Sequence, residues 1–240
     1  MTTPFTFTID GQDIEAQPGQ AIVEAADRAG VYIPRLCHKP GLKPFGSCRV
    51  CTVLANGRPC SACTQPAAPG MVVQSDTPAL TDYRRVVVEM LFVEGNHFCM
   101  FCEKSGNCEL QALAYRLGIA APRFPFLFPK REVDASHPDI LIDHNRCILC
   151  ARCVRTSRDV DGKQVFDFVG RGHKKRIAFR SGARLADTKA DVTDAAVSAC
   201  PVGALLKKRV GYAVPVGHRL YDTEPIGTDV ERRKTPAATA

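Results

Sequence analysis

The chain has 240 residues, 45% hydrophobic and 24% charged, as is usual for a globular protein of one large or two to three small domains. It has no apolar run of about 18 residues and begins MTTPFTFTIDG, so we expect no membrane span, no secretory signal and a cytoplasmic location. The net charge of +7 is dispersed, which disfavours nucleic-acid binding. In a reducing compartment, twelve cysteines indicate metal or redox chemistry and not disulfides.

The first 77 residues have the element order of a small β-grasp domain. Residues 5–9 alternate apolar and polar, DG at 10–11 is a hairpin turn signal, and a second strand passes through Ile14. Residues 19–30 have a helical apolar face, and Gly30 is placed as the C-terminal cap. A cysteine loop and the strand-like segments RVCTVLANG and GMVVQS follow. We therefore predict a β-grasp domain at 1–77.

This predicted domain holds the first cysteine group, with gaps of ten, two and eleven residues: Cys37, Cys48, Cys51 and Cys63. A [2Fe-2S] cluster in a β-grasp domain takes three ligands from one loop and a fourth from further along, so this group predicts such a cluster. The FGSC stretch places Gly46 where the loop must wind around it. The alternative is a short zinc ribbon of two CxxC pairs, which includes Cys60 and excludes Cys37. With the [2Fe-2S] cluster, Cys60 is left as a small apolar thiol.

Residues 78–120 are predicted to form a helical segment, with amphipathic helices at 78–94 and 108–118. Between them, NHFCMFCEKSGNCELQ carries the second group, Cys99, Cys102 and Cys108. A cubane cluster needs four ligands, and a neutral imidazole can ligate iron, so His97 is the first candidate for the fourth. Cys60 is the reserve candidate, and a supporting role for His97 remains the alternative. Glu109 and Gln111 are predicted to cap or solvate the following helix.

Residues 121–215 predict a small α/β domain. A proline-containing connector (121–139) leads to a strand (140–143), a cysteine-bearing helix (148–158), strands at 165–169 and 176–179, and a helix at 190–199. CILCARC supplies Cys147, Cys150 and Cys153, and Cys200 precedes a proline, which is a signature of a [4Fe-4S] cluster. Ser157 stands where two-cluster ferredoxins have a further cysteine, so we expect one cluster here.

The remaining residues, 216–240, are polar and are predicted to be loosely ordered or docked on a partner. The predicted fold class is thus α+β: a β-grasp [2Fe-2S] ferredoxin-like domain, a helical segment with a His/Cys3 cluster, and a small α/β [4Fe-4S] domain. The apolar neighbours of the ligands are predicted to keep water away from the clusters; they are Val50, Phe98, Met100, Phe101, Ile148 and Leu149.

The three groups, in this order over residues 1 to about 212, resemble the N-terminal region of the large iron–sulfur subunit of respiratory NADH dehydrogenase (complex I). Iron-only hydrogenases and some NAD-dependent formate dehydrogenases are similar there. CEKSGNCELQ carries the resemblance for the second group. The larger relatives have the histidine four residues before the first cysteine, where this chain has Gly95, and His97 stands two before. In that respect EGNHFC most resembles the small diaphorase (HoxU-type, gamma) subunit of NAD-reducing [NiFe] hydrogenases.

The resemblance implies an electron-transfer subunit with one [2Fe-2S] and two [4Fe-4S] clusters and no active site of its own. It implies partner subunits as well: a diaphorase subunit that binds FMN and NAD, and the small and large [NiFe] hydrogenase subunits. The same module would also suit a formate dehydrogenase, a complex I-like assembly or an iron-only hydrogenase. An alternative of another class is a zinc-stabilised interaction protein.

Overall fold

The structure, a computed structural model, describes residues 3–234 of the chain. The end of the predicted tail, 235–240, lies outside the described residues. The strands are β1 (Phe5–Ile9), β2 (Gln12–Ala16), β3 (Thr52–Ala55), β4 (Arg58–Ser61), β5 (Val72–Gln74), β6 (Val133–Asp134), β7 (Ile140–Asp143), β8 (Phe166–Val169), β9 (Arg176–Phe179) and β10 (Leu205–Lys207). The α-helices are α1 (Ile22–Arg28), α2 (Pro78–Val93), α3 (Glu109–Arg116), α4 (Arg152–Asp159), α5 (Ala195–Ser198) and α6 (Thr228–Glu231). Short 3-10 helices lie at Cys99–Phe101, His144–Arg146, Gly172–Lys174, Leu185–Asp187 and Arg232–Lys234.

The N-terminal part is a five-stranded sheet in the order β2-β1-β5-β3-β4. The β1–β2 hairpin turns at Asp10 and Gly11, both with positive φ, and β1 runs parallel to β5. Helix α1 buries Ile22, Val23, Ala25 and Ala26 in the core of this domain. The predicted β-grasp arrangement is confirmed. Strand β4 was not predicted, because RPCS is short and lacks the alternation that marks a strand.

Helices α2 and α3 form the predicted helical segment. Helix α2 begins at Pro78, where the Thr77 side chain accepts a 3.2 Å hydrogen bond from the Leu80 amide. Fully buried Val88, Leu110 and Leu113 belong to a second hydrophobic core. That core also contains the loop residues Leu36 and Val50 of the N-terminal part and Val202 from the C-terminal part. The helical segment therefore packs against both the N-terminal part and the C-terminal part of the chain.

The C-terminal part contains a three-stranded sheet, β10-β7-β6, and the β8–β9 hairpin, packed around a third core that includes Ile140 and Leu185. Strands β7 and β9 match their predicted bounds. Helix α4 begins four residues later than predicted, because Leu149 and Ala151 adopt left-handed backbone conformations that a helix excludes. Of the helix predicted at 190–199, the structure forms only α5, and β10 was not predicted.

The described part of the tail packs against its own chain. Ile226 and Val230 are buried, and Arg116 forms an ion pair with Glu231 and donates a 2.7 Å hydrogen bond to the Ile226 carbonyl. The prediction of loose order is therefore wrong for residues 226–231. The reason is that the apolar side chains of Ile226, two residues before α6, and Val230, within α6, are both buried, although the surrounding sequence is polar. None of the described helices is long and apolar enough to cross a membrane.

Candidate iron–sulfur centres

Centre one is the group Cys37, Cys48, Cys51 and Cys63, and all four cysteines are buried. The Cys37 thiol lies close enough to those of Cys48 and Cys63, and the Cys51 thiol close enough to that of Cys63, for each pair to shift its members' pKa values. The Cys37 amide donates to the Cys48 sulfur at 3.4 Å. Hydrogen bonds from Cys63 lower the pKa of Cys51 to about 7 against the opposing effect of burial. The structure thus brings the four predicted ligands of the first cluster together.

The loop of centre one depends on a glycine. Gly46 has a φ of 71°, and a Cβ there would lie 3.0 Å from the Thr64 Cγ2 atom. A side chain at this position would meet both backbone strain and a contact with the segment after Cys63. The close approach of these two segments brings the predicted fourth ligand to the loop.

Cys60 lies on β4, opposite Val53, and packs partly buried against the β-grasp core. It takes no part in the thiol–thiol hydrogen bonds of centre one, and it does not line the cavity beside His97 described below. Within residues 3–234, no three His, Cys, Asp or Glu side chains are arranged to hold a single metal ion.

Centre two is the group His97, Cys99, Cys102 and Cys108, and all four side chains line one cavity. The His97 Nε2 atom is buried and has no hydrogen-bond partner among the described residues. Burial and the nearby Arg146 lower the pKa of His97 to about 4, so the imidazole is neutral at pH 7, the form that ligates metals. The ring occupies the space beside Gly95, where a Cβ would lie 2.6 Å from Nε2. A buried, unpaired imidazole nitrogen on a residue that lines the same cavity as three thiols fits a metal cluster.

Two residues of centre two were not found from the sequence. The Arg146 Nη1 atom lies 3.7 Å from the Cys102 sulfur, and the guanidinium also pairs with Glu103 at 2.8 Å and Asp143 at 3.0 Å. A Cβ on Gly203 would lie 2.6 Å from the same sulfur. Neither contact has a local signal, because Arg146 and Gly203 lie far along the chain from Cys102.

Gln111 accepts a 2.8 Å hydrogen bond from the Gly106 amide, and Glu109 binds Arg152; both make tertiary contacts in place of simple helix capping.

Centre three is the group Cys147, Cys150, Cys153 and Cys200. The backbone amides of Leu149, Arg152 and Val154 lie beside the first three thiols, and each acts to lower the pKa of its neighbouring thiol, as expected of a loop that wraps a cluster. Cys200 follows α5 and lies close enough to raise the pKa of each of these thiols.

Burial is the largest effect on the thiols of centre three, and it raises the pKa of Cys147 to about 11 and that of Cys150 to about 12. Such thiols become thiolates when a bound metal supplies positive charge. The hydroxyl of Ser157 accepts a 2.9 Å hydrogen bond from the Val165 amide.

The apolar neighbours of the ligands differ from the prediction at centre two. Phe98, Met100 and Phe101 are 62%, 84% and 70% exposed, so they do not exclude water in this chain. The 3-10 helix at Cys99–Phe101 leaves these apolar side chains at the surface while Cys99 and Cys102 line the cavity. At centre one the prediction holds, because Val50 is fully buried.

The three centres share one hydrophobic core. The second core contains Cys37 and Cys48 of centre one, Cys108 of centre two and Cys150 of centre three. Such packing keeps the three groups near one another in a largely dry interior.

Three family models match the chain in succession. Residues 2–78 match a 2Fe-2S iron–sulfur cluster binding domain. Residues 84–123 match the iron–sulfur binding region of the NADH-ubiquinone oxidoreductase G subunit, and residues 137–206 match the ferredoxin-like domain of NADH-quinone oxidoreductase subunit 3. A 2Fe-2S domain and 4Fe-4S binding regions are thereby indicated, and a zinc-stabilised interaction protein is not favoured.

Similar proteins are of two lengths. The chain is 35% identical to the mitochondrial 78 kDa subunit of NADH-ubiquinone oxidoreductase from Neurospora crassa and 34% identical to the alpha subunit of the NADPH-Fe(3+) oxidoreductase from Geobacter sulfurreducens. These matches cover 84% and 85% of this chain but only 27% and 24% of those relatives. The chain thus spans about a quarter of their length.

Two further relatives are matched over nearly their whole length. A chain in the crystal structure of an NAD+-reducing [NiFe]-hydrogenase in the H2-reduced state is 48% identical, with a TM-score of 0.92 over 97% of this chain and 99% of that one. The gamma subunit of the NAD-reducing hydrogenase HoxS from Cupriavidus necator is 42% identical over 91% of this chain and 94% of the relative. The chain therefore belongs to the family of NAD-reducing hydrogenase gamma subunits.

Proposed function

We propose that this chain relays single electrons through three iron–sulfur clusters between an FMN- and NAD-binding diaphorase subunit and a [NiFe] hydrogenase module, which together convert H2 and NAD+ to NADH and H+. The observation that carries the proposal is the shared core, which holds cysteines of all three centres. A relay requires centres that lie close together and are shielded from water. The family membership supports the same function.

The ligand sets in this proposal are those of the three centres. Cys37, Cys48, Cys51 and Cys63 hold a [2Fe-2S] cluster; His97, Cys99, Cys102 and Cys108 hold a [4Fe-4S] cluster; Cys147, Cys150, Cys153 and Cys200 hold another. Bound iron–sulfur clusters supply one-electron redox chemistry. The chain's own residues position them, donate N–H groups to their sulfurs and place Arg146 beside Cys102.

The proposed partners are the diaphorase subunit, which carries FMN and NAD, and the small and large hydrogenase subunits; the proposed location is the cytoplasm. The exposed apolar side chains of Phe98, Met100 and Phe101 support a partner surface beside centre two. Exposed apolar groups of this kind are typical of surfaces that another protein covers.

The experiment is to replace Cys153 by Ser in the complete hydrogenase complex and to compare three activities. We expect the variant to keep hydrogen-dependent dye reduction at the hydrogenase end and NADH-dependent dye reduction at the diaphorase end. The coupled reduction of NAD+ by H2 should fall by more than about tenfold, because a ligand of the connecting relay is lost. Cys60→Ser is the matched control and should retain all three activities. An unchanged coupled reaction in the Cys153→Ser complex would contradict the proposal.

A further inference from the structure

Arg155 lies on α4, between centre one and centre three, and is only 4% exposed. Its Nη2 atom donates to the carbonyl of Cys37 at 2.5 Å and to that of Cys150 at 3.3 Å. Its Nη1 atom donates to the Lys43 carbonyl at 2.5 Å. One guanidinium thus contacts the backbone of a predicted ligand in each of two centres and the loop between Cys37 and Cys48.

The charge of Arg155 has no carboxylate within 4.0 Å among residues 3–234, since all its hydrogen-bond acceptors are backbone carbonyls. A neighbouring arginine shows the contrast. Arg152, also 4% exposed, makes two 2.6 Å hydrogen bonds to the carboxylate of Glu109. The guanidinium carbon lies 5.6 Å from the centre of the Phe45 ring, and the charge of Arg155 helps to lower the pKa of Asp159, but neither contact is an ion pair. Because a buried charge without an ion-pair partner is strongly unfavourable, Arg155 needs further negative charge from another source. The thiolate-ligated clusters proposed above are the negative groups that lie on both sides of it.

We propose that Arg155 is the shared counter-charge of centres one and three and raises the reduction potentials of both. The inference rests on the proposed function, because it requires clusters at these centres. Reduction adds one electron to a centre and makes it more negative. A fixed positive charge nearby stabilises that state relative to the oxidised one, and the low polarity of the core strengthens the effect. Arg155 is therefore a positioning residue and does not itself carry electrons.

Arg84 provides a matched comparison at one centre alone. It is 3% exposed, forms no ion pair among the described residues, and donates to the carbonyls of Val50, Thr52 and Ser75. Val50 and Thr52 flank Cys51, and no atom of centre three accepts a hydrogen bond from Arg84. Removing the charge of Arg84 should therefore affect centre one, whereas removing that of Arg155 should affect both centres.

The test uses the whole complex, reductive titration and EPR signals assigned to centres one and three. Arg155→Gln removes the charge but keeps hydrogen-bond donors, Arg155→Lys keeps the charge, and Arg84→Gln is the single-centre control. Iron and acid-labile sulfide are measured in each sample before titration. We expect Arg155→Gln to lower the potentials of centres one and three, each by about tenfold in the reduction equilibrium, which is about 59 mV for one electron. Arg155→Lys should restore most of both shifts, and Arg84→Gln should shift centre one alone.

The possible outcomes separate the two proposals. If both clusters were present in Arg155→Lys but missing from Arg155→Gln, the result would also support the counter-charge. Both replacement side chains donate hydrogen bonds, but only lysine carries a positive charge. Unchanged potentials in Arg155→Gln, or equal shifts in the Gln and Lys variants, would overturn it. Loss of both clusters from both variants would assign Arg155 to holding the loops and would likewise overturn it. Failure of the proposed function is distinct, because the unsubstituted complex would then lack these EPR signals.

Discussion

Replacing Gly203 by alanine should remove the cluster of centre two while leaving the other two in place. The backbone of Gly203 is not left-handed, so alanine adds only a Cβ, which would lie 2.6 Å from the Cys102 sulfur. Ordinary contact begins at 3.4 Å, so the ligand sulfur must move by 0.8 Å. Metal–ligand distances tolerate about 0.2 Å, and crowding of a packed site costs about 1–3 kcal/mol. The displacement is therefore several times what the ligand geometry allows.

The assay is iron and acid-labile sulfide per chain after anaerobic purification, with EPR of the reduced protein. We expect iron to fall from about ten to about six per chain, because one four-iron cluster is lost. Cys60→Ser is the control, since Cys60 does not line the cavity of centre two and its replacement should leave about ten iron per chain. Full iron content and an unchanged centre-two signal in Gly203→Ala would refute the proposed position of Cys102 as a ligand.

Three further predictions concern the surroundings of the centres. Glu109→Gln leaves the buried Arg152 without its carboxylate. Because the Glu109 side chain is itself 25% exposed, we expect the free energy of unfolding to fall by about 2 kcal/mol and the melting temperature to fall by about 6 °C. An unchanged melting temperature would contradict a stabilising role for this ion pair. Ile226→Ala should cost about 2 kcal/mol, measured in the same way, because it opens a space in the second hydrophobic core, to which Ile226 belongs. A cost near zero would show that the tail does not pack there. Burial lowers the pKa of His144, so the unfolded chain binds more protons than the folded one as the pH falls below about 6.5, and stability should decline through that range. His144→Gln should reduce that decline in melting temperature between pH 7 and 5, and an identical pH dependence would contradict the assignment.

The candidate ligands could be grouped from the sequence because most of them have a local spacing that chain geometry turns into proximity. CILCARC is one loop, and the left-handed backbone conformations of Leu149 and Ala151 let it turn between Cys147 and Cys153. The strands at 5–9 and 140–143 were predicted from alternation or apolar runs that the structure retains. His97 was predicted from three adjacent cysteines alone, and the structure adds the unpaired Nε2 atom.

The supporting residues were not predicted, because their contacts are tertiary. Arg155 and Cys37 are 118 positions apart, and no spacing rule connects them. Arg146 and Gly203 meet Cys102 only after the C-terminal part packs on the helical segment. The prediction that Phe98, Met100 and Phe101 shield the ligands is wrong, because the three side chains are exposed. Sequence alone does not give the direction in which a 3-10 helix turns its side chains. The packing of Ile226 and Val230 was missed for a similar reason, because two apolar residues in a polar stretch are a weak signal.

The most direct test of the account is the metal and sulfide content of the anaerobically purified chain, with EPR of the reduced state. We expect about ten iron and about ten sulfide per chain, the sum for one [2Fe-2S] and two [4Fe-4S] clusters. His97→Ala should then lower the iron content or alter the signal of centre two alone. Zinc without sulfide would contradict the central claim that this chain is an electron relay.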